Sequence, residues 1–174
     1  MRILRKTCVV LLVLVAVGSM TERSFSQARP SAKSNVISIG LLRLIQVPQF
    51  VYFQYEWRTS ATNSVALRAG YQLAYSDFTG FAVGGAYRFF IADSRALTGL
   101  SVAPAADIYF LSSSLLSRTY TSFSVGGDVA YKWIFDQFSV EPIVALRLGI
   151  SGAQGLSAYS GVAAGIDVLL GYAF

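Results

Sequence analysis

From Asn35 onward, apolar residues alternate with small or polar residues at a period of two, which is the pattern of β-strands that have two different faces. Eight segments carry this pattern: 35–45, 49–59, 64–75, 80–90, 98–110, 120–134, 138–150 and 161–174. Stretches rich in Gly, Ser, Asn and Asp separate them, as in "SATNS" at 60–64 and "SSSLLSR" at 112–118. The sequence therefore predicts an all-β fold of eight antiparallel strands.

One face of each segment is bulky and apolar, and the other is small and polar. In the second segment the apolar face comprises Val51, Phe53, Tyr55 and Trp57, and the opposite face comprises Tyr52, Gln54, Glu56 and Arg58. The fourth, sixth and eighth segments separate in the same way. The first segment leaves two registers open, one with Ile37, Ile39 and Leu41 on the apolar face and one with Val36, Leu42 and Leu44.

Alternation alone does not decide which face is buried, because a soluble barrel with an apolar interior alternates too. Gly, Ala and Ser with isolated charges suit the inside of a narrow barrel. Aromatic pairs also recur near the ends of all even-numbered segments, in "YEW", "YRF", "YKW" and "YAF". These ends meet at one rim of an up-and-down barrel, where membrane barrels carry an aromatic girdle. The predicted girdle consists of Tyr55, Trp57, Tyr87, Phe89, Tyr131, Trp133, Tyr172 and Phe174.

Composition agrees with a barrel that crosses a membrane. The chain is 54% hydrophobic and only 13% charged, against about 25% charged residues in an average soluble domain. Past residue 20 there is no apolar run of the 18 or more residues that a membrane helix needs. Lipid offers no hydrogen-bond partners, so a spanning sheet must close on itself. We predict an eight-stranded antiparallel up-and-down transmembrane β-barrel over residues 35–174.

The first 28 residues are predicted to be a cleaved signal peptide, followed by a short periplasmic segment at 29–34. Three basic residues precede the apolar core "CVVLLVLVAV" at 8–17. The small residues Ser26 and Ala28 then precede the predicted cleavage site. Cleavage removes four basic residues and one acidic residue, so the formal net charge falls from +5 to +2. This small charge does not indicate a nucleic-acid partner. Cleavage also removes Cys8, the single cysteine, which excludes disulfides and thiolate sites.

The last strand ends in "GYAF", with Tyr172 and Phe174 at alternate positions. Here the chain resembles the small outer-membrane β-barrels of Gram-negative bacteria, such as the outer membrane protein A barrel domain and OmpX. The resemblance is one of pattern, covers the chain from about residue 35, and rests on no long motif. It implies residence in the bacterial outer membrane. It also implies that the terminal strand is read by the barrel assembly machinery, and that lipid is the surrounding partner.

The inward face carries five basic and five acidic residues. A charge in a narrow, mostly dry lumen is costly unless it is paired, and equal numbers allow pairing. We therefore predict an internal salt-bridge network that plugs the barrel. Its members are Glu56, Arg58, Arg68, Arg88, Asp107, Asp128, Lys132, Glu141, Arg147 and Asp167. A conducting path or a small-ligand site is the alternative use of these charges.

Two prolines, Pro104 and Pro142, fall inside predicted strands. Proline cannot donate a hydrogen bond to the ladder, so each is expected at a bulge or a strand start. Each is also expected to mark a place where strand pairing is locally broken.

Nothing in the sequence indicates an enzyme. The chain has no histidine, so Ser-His-Asp, Cys-His and histidine–metal sites are excluded. The glycine pairs in "GGAYRF" and "GGDVAY" precede no helix and do not form a phosphate loop. We expect no catalytic residue, cofactor or metal site.

The expected function is therefore a structural or surface-interaction role in the cell envelope, such as envelope integrity or weak adhesion. The predicted external loops are short: 46–48, 76–79, 111–119 and 151–160. The last two are the best places for a partner, whose identity the sequence does not indicate, and we expect a monomer. The alternatives are a small channel or carrier of a lipid-like ligand, and a secreted soluble lipocalin-like barrel whose aromatic face points inward.

Overall fold

The computed structural model describes residues 33–41, 50–75, 78–91, 97–113, 118–151 and 160–174. The predicted signal peptide and residues 29–32 of the predicted periplasmic segment lie outside these ranges, as does the first predicted loop, 46–48. The described chain forms β1 (Asn35–Gly40), β2 (Phe50–Arg58), β3 (Asn63–Tyr75), β4 (Phe78–Phe90), β5 (Gly99–Ser113), β6 (Arg118–Phe135), β7 (Phe138–Ser151) and β8 (Gly161–Ala173).

Each strand pairs with the next in an antiparallel ladder, and β8 pairs with β1, so the sheet closes into a barrel. The backbone of Phe174 joins this closure: its carbonyl oxygen accepts hydrogen bonds from the N–H groups of Ser34 and Asn35, each at 3.0 Å. The predicted eight-stranded antiparallel barrel is confirmed. No helix in the described ranges combines the length and apolar character needed to span a bilayer.

The strands are strongly staggered around the barrel. A path that starts at Val36 and crosses one residue pair at a time from β1 to β8 arrives at Ala163. Val36 itself pairs with Ala173, ten residues further along β8. A stagger of ten residues over eight strands corresponds to a strand tilt of about 40°, from about 3.3 Å per residue and about 4.8 Å between strands. Such a barrel has an interior just wide enough for side chains to fill.

The apolar face points outward. On β2, Phe53 and Tyr55 are half exposed, whereas Gln54 and Glu56, which alternate with them, are buried. The first strand follows the same rule, with Ile37 exposed and Val36 buried, which resolves its register. Among the described strand residues, no outward position carries a charged side chain. Outward apolar side chains on the other strands include Leu67, Phe81, Val102, Val129, Val144 and Ile166.

Two predictions about the strands need correction. The segment at 112–118 was predicted as a turn, but β5 extends to Ser113 and β6 begins at Arg118. Pro104 lies inside β5 and Pro142 inside β7, so neither is at a bulge or a strand start. The predicted local break in pairing is confirmed, because the β4–β5 ladder skips 103–104 and the β6–β7 ladder skips 141–142. Each ladder then resumes in the same register.

Candidate functional site

Three of the four inward charges near one end of the barrel come from the same tripeptides as the outward aromatics. In "YEW", "YRF" and "YKW" the flanking aromatics point outward and the central Glu56, Arg88 and Lys132 point into the lumen. Alternation along a strand requires this, since neighbouring side chains lie on opposite faces. The even-numbered strands bring the three central residues to one level of the barrel.

Glu56, Arg88, Lys132 and Glu141 form a cluster at this level, here called the rim cluster. Lys132 forms salt bridges with Glu56 and with Glu141, the latter with 2.9 Å between Nζ and Oε2. Arg88 forms salt bridges with Glu141 and with Glu56, the latter with 3.6 Å between Nη1 and Oε2. All four side chains are at most 1% exposed. The cluster holds two positive and two negative charges and is therefore electrically balanced.

Two polar side chains complete the rim cluster. Ser64 donates a hydrogen bond from its hydroxyl to Glu56, and Gln54 accepts one from Arg88 at 3.2 Å. Gln54 and Ser64 are both buried on the inward face. The sequence prediction named only ionisable residues and missed this pair. The sequence did contain a signal for them. Gln54 lies an even number of residues from Glu56 on β2, and Ser64 an even number from Arg68 on β3, so both are expected on the inward face.

Arg68, Asp107, Asp128 and Arg147 form a second cluster further along the lumen, here called the central cluster. Asp128 forms salt bridges with Arg68 and with Arg147, the latter with 2.6 Å between Oδ1 and Nη2. Arg147 also forms a salt bridge of 3.3 Å with Asp107 and donates a hydrogen bond of 3.0 Å to the carbonyl oxygen of Gly127. This cluster again contains two charges of each sign.

The two remaining members of the predicted network, Asp167 and Arg58, are outside the two clusters as defined above. Asp167 is buried beside the central cluster, and its carboxylate accepts a hydrogen bond of 2.8 Å from the N–H of Val168. Arg58 is exposed and donates a 3.5 Å hydrogen bond to Ser34 Oγ, so its assignment to the interior is corrected. Parity places Arg58 on the inward face, but β2 ends there and its side chain lies beyond the lumen.

Bonds across the lumen hold the barrel closed from inside. Arg88 and Glu141 stand on β4 and β7, and Lys132 and Glu56 on β6 and β2, so these pairs join strands that are not neighbours. Taking charges out of water is costly, and the pairing offsets that cost. Removing one partner leaves an uncompensated buried charge. The clusters therefore resist opening or flattening of the sheet.

A cavity of about 10 Å³ lies beside the central cluster, between Arg68, Asp128, Arg147 and Asp167. A water molecule needs a cavity of about 10–15 Å³, so this one has room for about one. Within the described ranges, no group of three or more His, Cys, Asp or Glu side chains could hold a metal ion. This cavity is too small for an organic ligand.

The predicted aromatic girdle lies at one end of the barrel, as the strand directions require. Tyr55 also donates a hydrogen bond of 2.9 Å to Asn35 Oδ1. The two aromatics of each tripeptide lie in ring contact, with centroid distances of 5.8 Å for Tyr55 and Trp57, 4.9 Å for Tyr87 and Phe89, 4.6 Å for Tyr131 and Trp133, and 6.1 Å for Tyr172 and Phe174. All eight rings are on the outward face.

Comparison with known proteins adds no relative: no family model, no curated protein and no solved structure matches the chain.

Proposed function

We propose that the protein is a non-enzymatic integral β-barrel of the bacterial outer membrane, with a structural or surface-interaction role in the cell envelope. The observation that carries the proposal is the distribution of charge and apolar surface. Charged residues fill the inside, and the outward face of the described strands carries none. A soluble protein rarely exposes a contiguous apolar surface of more than a few hundred Å². Lipid is the solvent that this outward face matches.

The soluble lipocalin-like alternative receives no support from the described strands. It needs an apolar interior, whereas the large inward side chains include Arg88, Lys132 and Glu141. On this proposal the cleaved signal peptide exports the chain, and the barrel assembly machinery engages the last strand at Phe174. The protein is then a monomer in outer-membrane lipid.

Absence of enzymatic activity is part of the proposal. The chain contains no histidine, and the buried carboxylates of both clusters are bound to Arg or Lys rather than free to act as an acid or base. The small-channel alternative needs a continuous path, and the side chains of the rim cluster are at most 1% exposed, so none of them lines an open passage. We therefore favour a plugged barrel over a channel or a ligand carrier.

The test is expression of the full chain in a Gram-negative host, followed by separation of the membranes and gel mobility of boiled and unboiled outer-membrane samples. The proposal predicts a band that shifts on heating, because a closed barrel resists unfolding by detergent. Deletion of Phe174 removes the backbone hydrogen bonds to residues 34 and 35 and one girdle ring. We expect less of the shifted band in that variant.

Val83→Ala is the matched control, since it also removes an outward apolar side chain but leaves the β1–β8 closure intact. A wild-type protein found in the soluble periplasmic fraction, with no change in mobility on heating, would overturn the proposal.

A further inference from the structure

The rim and central clusters are separated by a layer of apolar side chains. On β6 the successive inward residues are Lys132, Ala130 and Asp128, so one alanine lies between the two clusters. On β3, Ala66 occupies the position before Arg68. The same position is apolar on every strand from β3 to β8. We call these six residues the apolar collar: Ala66, Ala86, Ala103, Ala130, Ile143 and Leu169.

The collar residues are packed and buried. Ala130, Ile143 and Leu169 form one cluster with Tyr52, and Ala66, Ala86 and Ala103 form another with Ala105. None of the six is more than 6% exposed. On β2 the equivalent position is Gln54, whose amide is hydrogen-bonded to Arg88 and Glu56 of the rim cluster. On β1 the buried Ser38 pairs with Gln54 and lies at the same level. Six of the eight strands, β3 to β8, therefore line this level of the lumen with apolar side chains.

The described ion pairs stay within one cluster or the other. Arg88 and Lys132 bind carboxylates of the rim cluster, and Arg68 and Arg147 bind those of the central cluster. Rearranging the pairs of one cluster would leave the collar in place. An ion that enters the collar must lose most of its hydration, and the six apolar positions supply no ligand in return. A mostly apolar constriction of this kind opposes passage.

We propose that the apolar collar, rather than the salt bridges, is the barrier to ions and water in the lumen. The proposal rests on the proposed function, because a barrier matters only if the barrel crosses a membrane. Ile143 and Leu169 are the largest collar side chains and stand on the neighbouring strands β7 and β8.

The experiment measures ionic current through planar lipid bilayers that contain the refolded protein. The collar variant is Ile143→Ser with Leu169→Ser, which removes volume and supplies polar groups. Its control is Val144→Ser with Ile166→Ser, on the same two strands but on the outward face.

Two further variants test the salt bridges, and each removes one positive and one negative charge. They are Arg88→Gln with Glu141→Gln in the rim cluster, and Arg68→Gln with Asp128→Asn in the central cluster.

We expect the collar variant to raise the mean current at least about tenfold over wild type. The outward control and both ion-pair variants should stay at the wild-type level. A current in either ion-pair variant that equals or exceeds that of the collar variant would overturn the proposal, as would a folded collar variant without current. If the double collar variant does not fold, Leu169→Ala replaces it. This single change removes less volume, so we expect a smaller increase in current.

A heat-dependent gel shift of each refolded protein separates this proposal from the previous one. If wild type shows no shift in lipid, the membrane assignment fails. If wild type and the collar variant both shift and neither conducts, the collar fails while the membrane assignment stands.

Discussion

At the residue scale, Asp128 shows how the interior tolerates charge. It is buried between Arg68 and Arg147 and belongs to a balanced set of four charges. No ion pair other than that with Asp128 is described for Arg68. Removing either partner of a buried pair is costly, because the remaining charge is left without compensation. The stability of the barrel should therefore depend on the pairing and not only on the presence of these side chains.

A double-mutant cycle on this pair tests that dependence. We expect Arg68→Met and Asp128→Asn each to lower the free energy of unfolding by about 3–5 kcal/mol. The loss of unfolding free energy in the double variant should be smaller than the sum of the two single losses by at least about 1 kcal/mol. The measurement is urea unfolding of protein folded in lipid vesicles. Strictly additive losses would contradict the pairing. The control is Arg58→Met, the same change at an exposed position, which should lower the free energy of unfolding by no more than about 0.5 kcal/mol.

A pair of glycines tests how closely the strands pack around the lumen. A Cβ atom at Gly126 would overlap the carbonyl oxygen of Leu146 and lie 2.9 Å from the Cα atom of Arg147. Because these are backbone atoms, Gly126→Ala should force the strands apart and cost about 1–3 kcal/mol. At Gly165 a Cβ would meet nothing within 4 Å, so Gly165→Ala should be neutral or slightly stabilising. Equal unfolding free energies for the two variants would show that the packing at Gly126 is not as described.

At the scale of elements, the period of two was enough to predict eight strands and the two faces of each. It could not fix where strands end. The serines and leucines at 112–118 resemble a turn, yet β5 continues to Ser113, because pairing with the neighbouring strand outweighs local propensity. The prolines are a second case. Each removes one ladder donor, but the neighbouring pairs on both sides keep the register and the strand continues.

The tryptophans provide a direct test of the girdle. The chain has two, Trp57 and Trp133, and both lie on the outward face at the same end of the barrel. In vesicles, we expect their fluorescence to be quenched most by lipids brominated close to the headgroup, since girdle rings lie at that level. Trp57→Phe, which leaves Trp133 alone, should give the same depth. Strongest quenching by labels at the bilayer centre, or none at all, would contradict the girdle.

At the scale of the whole molecule, the partners inside the lumen could not be read from the sequence. Parity identifies the inward face, but which residues meet depends on the stagger of ten residues around the barrel. Glu56 and Lys132 are 76 residues apart and meet only because the sheet closes. Parity also gives no position along the axis, which is why Arg58 was assigned to the interior and why the separation into two clusters was missed.

The central claim is that the outward face lies in lipid, and one pair of substitutions tests it most directly. Val144 and Ile150 stand on the same face of β7 and are 57% and 58% exposed, but Val144 lies near the middle of the strand and Ile150 near its end. In vesicles, urea unfolding should show that Val144→Arg costs about 2–4 kcal/mol and Ile150→Arg about 0–1 kcal/mol, because the cost of a charge depends on depth in the bilayer. Two equal losses within about 0.5 kcal/mol, as expected for any water-exposed surface, would contradict the account.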